Sequence, residues 1–513
     1  MRKILALLAC LPLISAETLP RFTDPNRKAK LMAALPEVEK VFEQFAQDRA
    51  VTGMAYGMVI DGELVLAKGV GVKDRTSNAP VTADTVFRIA SMTKSFTALA
   101  ILKLRDQGKL SLEDPVSKYV PEIGQLKYPS SDTAPLRVRQ LLTHGAGFPE
   151  DNPWGDQQLG QPDAEMTAWL KKGIPFSTPP DTAYEYSNYG FGLLGRIIAK
   201  ASGKPYDEYL QKEILDPLGM KASTLHPSRI PANVAAVGYR KTGDVYSVEP
   251  SLPHGAFGAM GGLAVSAKDL GKYVAYQLAA YPPRDGADSG PVRRSSQREM
   301  QHPWRPAALR ASGSPLTVRA SAYGYGLNIS RTCNIGQIVG HGGGLPGFGS
   351  YMMWLPEYGV GFIGMTNLTY TAPTAAMEQA IEVLSKTGAL QPRELPASPE
   401  LISMRESIWS LWQNWDEGAL KKVAAMNLLL DTPAPARKTA MEAIQKEVGT
   451  CSAAGPVLPE NLLRGKFRLT CERGAVDVTF TLAPTMPVSL QALRFAKADA
   501  NVALVAVPPA CRP

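Results

Sequence analysis

Ser91-Met92-Thr93-Lys94 is the string in this chain with the means to activate a nucleophile. A serine and a lysine three apart share a helix face, so the Lys94 ammonium would lie beside the Ser91 hydroxyl. The run that follows, residues 96–102, is apolar on every side, which predicts a buried helix over 92–107 closed by Gly108. Burial of its first turn would strip water from Lys94, lower its pKa and make it a base, while the positive end of the helix favours an oxyanion near Ser91. Taken alone, the string reads better as an N-cap serine followed by a solvated lysine, because a Ser-x-x-Lys match is expected by chance about once in such a chain. The chemistry needs partners.

Two are present. Tyr186-Ser187-Asn188 precedes an apolar helix expected over 189–202, after the turn-like Pro179-Pro180-Asp181. A phenol and an amide two apart project from the same side of an extended segment, as an acid/base and a substrate contact require. His341-Gly342-Gly343-Gly344 falls on an expected strand whose glycines would admit a substrate backbone. The plainer readings are a core tyrosine beside a turn asparagine, and a hairpin glycine cluster beside a surface histidine. Other routes lack anchors: there is no Gly-x-Ser-x-Gly elbow, Walker loop, dinucleotide fingerprint or His-Glu-x-x-His. The five histidines show no i, i+4 pairing and no Cys-x-x-Cys occurs, so neither a metal nor a cofactor is expected.

The elements that must position these groups follow from periodicity. A helix is expected over 35–48, then strands over 53–60 and 63–71 joined by Asp61-Gly62, a hairpin signal. Ser266 is a candidate cap for a helix running to about Leu278. Strands are expected over 326–330, 337–339, 349–355 and 360–365. Residues 391–399 hold three prolines and read as a linker. Beyond it come helices over 401–415, 417–429 and 436–447, then strands over 466–472, 475–482 and 488–495, the pattern of a separate α+β unit over 400–513.

Composition sets the class. Of 513 residues 45% are apolar, 20% charged and 8% aromatic, which excludes a disordered, collagenous or coiled-coil chain. Arg2-Lys3, the apolar stretch 4–14 and Ser15-Ala16 form an expected export signal over 1–16, implying a periplasmic or secreted protein. Cys10 lies near a lipoprotein box, but an ordinary cleaved signal is the better reading. No later segment is apolar over the ~18 residues that a membrane helix needs. The net charge of +8 is spread without a basic run, so no nucleic-acid partner is expected; the partner is a small molecule or peptide. In an oxidising compartment Cys451 and Cys471 are the first choice for a bridge, stabilising by about 3 kcal/mol. Cys333 and Cys511 either pair or stay as thiols.

Taken in order, Ser91-x-x-Lys94, Tyr186-x-Asn188 and His341-Gly342-Gly343 resemble the three motifs of the serine β-lactamase-related family. That family holds class C β-lactamases, D-alanyl-D-alanine carboxypeptidases, D-aminopeptidases and family VIII carboxylesterases. Phe87-Arg88-Ile89-Ala90, Leu141-Leu142-Thr143-His144-Gly145, Asp216-Pro217-Leu218-Gly219-Met220 and Gly261-Gly262-Leu263 are similar as well. The likeness runs over roughly 35–375 within an expected hydrolase domain of 17–390. It implies an α+β fold, an antiparallel sheet flanked by helices plus a helical lobe, with the site between them. It implies Ser91 as the acylated nucleophile, Lys94 as its activator, Tyr186 as proton shuttle and Asn188 as a contact to the substrate amide. His341, Gly342 and Gly343 would line the substrate, and the N–H groups of Ser91 and Gly344 would form the oxyanion hole.

Three departures stand against the resemblance. The β-lactamases usually carry Lys-Thr-Gly where this chain has His341-Gly342-Gly343, which holds a carboxylate less well. Asp181 stands where a glycine is common, and its charge is expected to discourage anionic substrates. There is no Glu-x-x-Leu-Asn segment for a glutamate-assisted deacylation. The function implied is an exported hydrolase of esters or D-amino-acid amides working through an acyl-enzyme. The alternatives are an acylatable sensor of peptidoglycan peptides without turnover, and a Ser-His-Asp hydrolase using His144 or His341, which lacks its elbow.

Overall fold

Asp61 and Gly62 take positive φ of 51° and 83°, as a two-residue hairpin turn demands. They join β1 (Gly53–Ile60) to β2 (Glu63–Asp74). The structure, a computed structural model, describes residues 19–312 and 317–505; the expected signal, with Cys10, and Cys511 lie outside the described residues. The hairpin opens a nine-stranded antiparallel sheet completed by β3 (Ala79–Pro80), β4 (Arg305–Ser312), β5 (Thr317–Tyr323), β6 (Asn328–Thr332), β7 (Gln337–Leu345), β8 (Phe348–Leu355) and β9 (Val360–Thr366). The strand order is β3-β2-β1-β9-β8-β7-β6-β5-β4.

A strand covered on both faces reads as a continuous apolar run, and β1 is buried along its whole length. Met54, Tyr56, Met58 and Ile60 face one core, shared with α1 (Leu35–Asp48) and α5 (Thr374–Lys386); Ala55 and Val59 face the other. Tyr56 stacks on Phe42 there, with ring centroids 4.8 Å apart. The second core gathers α2 (Thr93–Asp106), α3 (Asn188–Ser202) and α4 (Ala267–Leu278). Every residue of α2 from Thr93 to Leu102 is buried, as its all-round apolar run predicts. α3 ends at Gly203 with φ 72°, and Ser266 caps α4 by accepting the Asp269 N–H at 3.2 Å.

The chain divides into two compact units, Asp24–Pro392 and a second formed from Arg393 onward with the residues up to Thr23. In the second, the segment expected as a linker is tied down: Arg21 and Glu394 exchange backbone hydrogen bonds of 3.0 and 2.8 Å. Ser398 caps α6 (Pro399–Gln413). The helix expected over 417–429 is two, α7 (Glu417–Val423) and α8 (Met426–Asp431), because Ala424 and Ala425 turn extended and the Ala425 N–H bonds Leu490 O. After α9 (Ala434–Val448) come β10 (Cys451–Ala454), β11 (Leu458–Asn461), β12 (Arg464–Cys471), β13 (Gly474–Leu482) and β14 (Leu490–Ala498). The sheet order is β10-β12-β13-β14, with β11 also on β12. A Cys451–Cys471 disulfide ties β10 to β12. Among the described residues no helix is long and apolar enough to cross a membrane.

Candidate active site

Ser91 stands on a 3-10 turn, Ala90–Met92, that leads into α2. Ala90 is left-handed, with φ 48°, a conformation that persists only where the surroundings enforce it. Here they do. The Ile89 N–H bonds Leu263 O at 3.0 Å, Ser350 Oγ donates to Ile89 O at 2.9 Å, and Thr93 Oγ1 donates to Ala90 O at 2.7 Å while accepting the Leu263 N–H at 3.1 Å. The third motif presses on the same segment: a Cβ on Gly343 would lie 2.1 Å from Ile89 O. Glycine there lets β7 approach the backbone that carries the serine.

Lys94 is fully buried, at 0% exposure. Its Nζ lies 3.0 Å from Ser91 Oγ, 2.7 Å from Asn188 Oδ1 and 2.9 Å from Met260 O, on the short helix Gly258–Gly261. An ammonium would donate to all three. A neutral amine would donate to Asn188 and Met260 and turn its lone pair to the Ser91 hydroxyl, so the geometry suits both states. Desolvation brings its pKa down to about 7, against the pull of the Asp156 and Asp151 carboxylates. Burial in turn raises both acids.

Burial of the Tyr186 hydroxyl pushes its pKa well above 10, against the opposing influence of the Ser91 side chain, so it is a neutral phenol. Its ring lies under Lys94, with Nζ 4.8 Å from the centroid. Asn188 opens α3; its amide oxygen holds Lys94 and its Nδ2 donates to Asn152 Oδ1 at 2.6 Å. The Asp151 carboxylate accepts the N–H groups of Asn188 and Tyr189 at 2.7 and 2.8 Å, capping α3 from a distant segment. His144, left-handed at φ 53°, accepts the Ser187 N–H on Nδ1 at 3.0 Å. Burial holds it neutral, and its ring packs 4.3 Å from that of Tyr186 and 4.4 Å from that of Tyr323.

His341 is buried on β7. Its Nδ1 contacts Gly342 O, which can only accept, so Nδ1 carries the proton and Nε2 accepts the Tyr323 hydroxyl at 2.8 Å. Burial, and then the Lys94 charge, bring its pKa down to about 3. Gly342 and Gly344 share that strand; β6 pairs with β7 only over residues 337–340, so residues 341–345 are strand-paired on β8 alone.

The structure thus gathers Ser91, Lys94 and Asn188 into one hydrogen-bonded cluster, with the Tyr186 ring against Lys94 and His341 and its glycines alongside. Asp181 differs from expectation. Its carboxylate is ion-paired with Arg305 and accepts Gln140, which offsets its repulsion of anions, and its φ of 66° explains why glycine suits the position. Asp151, Asn152, Asp156, Met260 and Tyr323 escape sequence reading, since they act through long-range capping, burial or a backbone carbonyl.

Comparison with known proteins bears on this arrangement. The sequence profile of the family described as Beta-lactamase matches residues 38–385. The chain is 26% identical over 401 residues to the D-alanyl-D-alanine-carboxypeptidase/endopeptidase AmpH of Escherichia coli (strain K12), covering 77% of this chain and 98% of that protein. It is 30% identical over 273 residues to Beta-lactamase-like protein 2 of Dictyostelium discoideum, spanning 51% of this chain and 50% of that one. For Protein flp of Staphylococcus aureus (strain MW2) the figures are 27% over 334 residues, 65% and 63%. The chain therefore spans about half to under two thirds of those last two relatives. A solved structure, the octameric penicillin-binding protein homologue from Pyrococcus abyssi, superposes with a TM-score of 0.59 at 25% identity over 90% of this chain and 99% of that one. The expected α+β sheet-and-helix fold is the fold observed.

Proposed function

The chain belongs to the β-lactamase family, and from that premise we propose that it is an exported serine hydrolase that acylates Ser91 and cleaves esters or D-amino-acid amides. The observation that carries this reading is the buried Lys94 amine, 3.0 Å from Ser91 Oγ, with its pKa brought down to about 7. Neutral Lys94 takes the Ser91 proton as Oγ attacks the acyl carbonyl. The N–H groups of Ser91 and Gly344 receive the oxyanion, each such donor typically worth about 10²–10³ in rate. The leaving group departs with a proton relayed from the Lys94 ammonium through the Tyr186 hydroxyl. Water then attacks the acyl carbonyl, gives its proton to the same pair, and Ser91 is released.

Tyr186 serves as a relay because its phenol stays neutral; the base is Lys94. Asn188, expected to touch the substrate amide, is assigned instead as a positioning residue, since both ends of its amide are already bound. His341 is neutral and both its ring nitrogens are already bound, to Gly342 O and to the Tyr323 hydroxyl, which supports esters and amides over substrates that need a cation at that position. The carboxypeptidase/endopeptidase AmpH among the relatives supports D-amino-acid peptides within that class. Export rests on the signal expected over 1–16.

Intact-mass analysis with a small fluorophosphonate tests the reading. A single adduct on Ser91, absent in Ser91→Ala, is expected, followed by steady turnover of p-nitrophenyl esters or D-alanyl peptides. An unmodified wild-type protein would overturn it, and a burst without turnover would favour the sensor alternative.

A further inference from the structure

Tyr370 follows β9 in a left-handed backbone, φ 55°, that a bulky residue adopts only at a cost. Its N–H is pinned to Phe348 O at 3.1 Å. From this anchor its side chain reaches in two directions. The ring lies against Gly344, so close that a Cβ on that glycine would sit 2.5 Å from Tyr370 Cδ1. The hydroxyl donates to Asp156 Oδ2 at 3.1 Å. Gly344 belongs to β7, the sheet wall of the groove. Asp156 belongs to the opposite wall, where a Cβ on its neighbour Gly155 would meet the Asn188 side chain at 2.7 Å. One side chain therefore touches both walls, yet it is 46% exposed, so solvent rather than packing lies over its outer side.

We infer that Tyr370 is a specificity-determining residue that bars the groove past Gly344 and limits the substrate group bound there to a compact one. The inference rests on the hydrolase reading above. Over residues 341–345, β7 pairs with β8 on one edge and with no described strand on the other, so an extended substrate can lie along that open edge. Laid there, it runs from His341 toward Gly344 and meets the Tyr370 ring. A group of a few atoms stops short of the ring. A longer one enters only if the bond to Asp156 breaks and the ring swings outward.

Two variants separate ring from hydrogen bond. Tyr370→Gly removes both and suits the positive φ, whereas Tyr370→Phe keeps the ring and frees it from Asp156. The measurements are kcat/KM for p-nitrophenyl acetate and octanoate, and the rates at which a methyl and a long-alkyl fluorophosphonate label Ser91. Pocket contacts of this kind discriminate by about 10–200-fold, so the long-to-short ratio should rise at least about tenfold in Tyr370→Gly and by less in Tyr370→Phe. A ratio unchanged in a folded Tyr370→Gly protein whose Ser91 still labels would overturn the Tyr370 inference alone. Ser91 unlabelled by either reagent in the wild type and both variants would overturn the hydrolase reading and this inference together.

Discussion

Replacing Asp156 with Asn should move the acid limb of Ser91 acylation to lower pH. With an ordinary pKa of 10.5, about one Lys94 in three thousand would be free amine at pH 7; with a pKa of about 7, half are. Burial therefore raises the concentration of base roughly a thousandfold at neutral pH. On the proposed mechanism the deprotonated form is the active one, so the rate should be full above the Lys94 pKa and fall tenfold per unit below it. Asp156 is the leading group that opposes this depression, by favouring the ammonium. Removing its charge lowers the Lys94 pKa further. A unit charge at about 4 Å is worth about 1 kcal/mol in bulk water and about 4 kcal/mol at an effective dielectric near 20; the lower end corresponds to a little under one pH unit. Because Lys94 and Asp156 interact, the wild-type limb belongs to the pair, whereas the variant's belongs to Lys94 in the field of Asp151. The assay is the second-order rate of Ser91 labelling by an uncharged methyl fluorophosphonate between pH 5 and 9, a reagent small enough that Tyr370 does not obstruct it. A limb that stays flat to pH 5, or one that moves upward in Asp156→Asn, would refute the role given to Lys94.

Two other perturbations probe the scaffold. Gly343→Ala places a methyl 2.1 Å from Ile89 O and 2.5 Å from Ser350 Oγ, so β7 or the Ser91 turn must move; Ser91 labelling should fall at least ~100-fold. Gly342→Ala, whose nearest neighbour is the Tyr351 ring at 3.1 Å, should be much milder, and equal effects in the same assay would contradict the argument. Replacing Cys451 and Cys471 with serine opens a loop of sequence separation 20 and should cost about 3 kcal/mol, read as faster hydrogen exchange across β12 and β13.

What the sequence makes legible is what a local pattern encodes. The all-round apolar run behind Ser91 predicts a sunken helix, and Asp61-Gly62 predicts its hairpin, because burial and turn geometry act on neighbouring residues. The rest is non-local. Asp151 caps α3 from 37 and 38 residues away, and nothing near either segment announces it. Met260 serves Lys94 through a backbone carbonyl, which has no residue type to read. Asp181 looks like a bare charge until Arg305, 124 residues on, pairs with it. β4 and β5 mix alanine, arginine and serine without alternation, so an edge hairpin of the main sheet leaves little trace. The split between α7 and α8 arises from the bond to Leu490, a partner that periodicity does not see.

The imidazole at 341 and the depressed Lys94 belong to one arrangement. Where relatives with Lys-Thr-Gly place an ammonium, this chain places a ring whose Nδ1 bonds Gly342 O and whose Nε2 takes the Tyr323 hydroxyl. With its pKa at about 3 the ring is neutral wherever Lys94 titrates. With its one N–H already on Gly342 O, it gives a substrate carboxylate neither a charge nor a free donor. The field of such a carboxylate would fall on Lys94 instead, favour its ammonium and withdraw the base that Ser91 needs. An uncharged ester or amide leaves the Lys94 pKa where burial sets it. The same neutral ring that weakens the hold on anions thus keeps the base available at pH 7, and for that reason the proposed chemistry is directed at uncharged acyl groups.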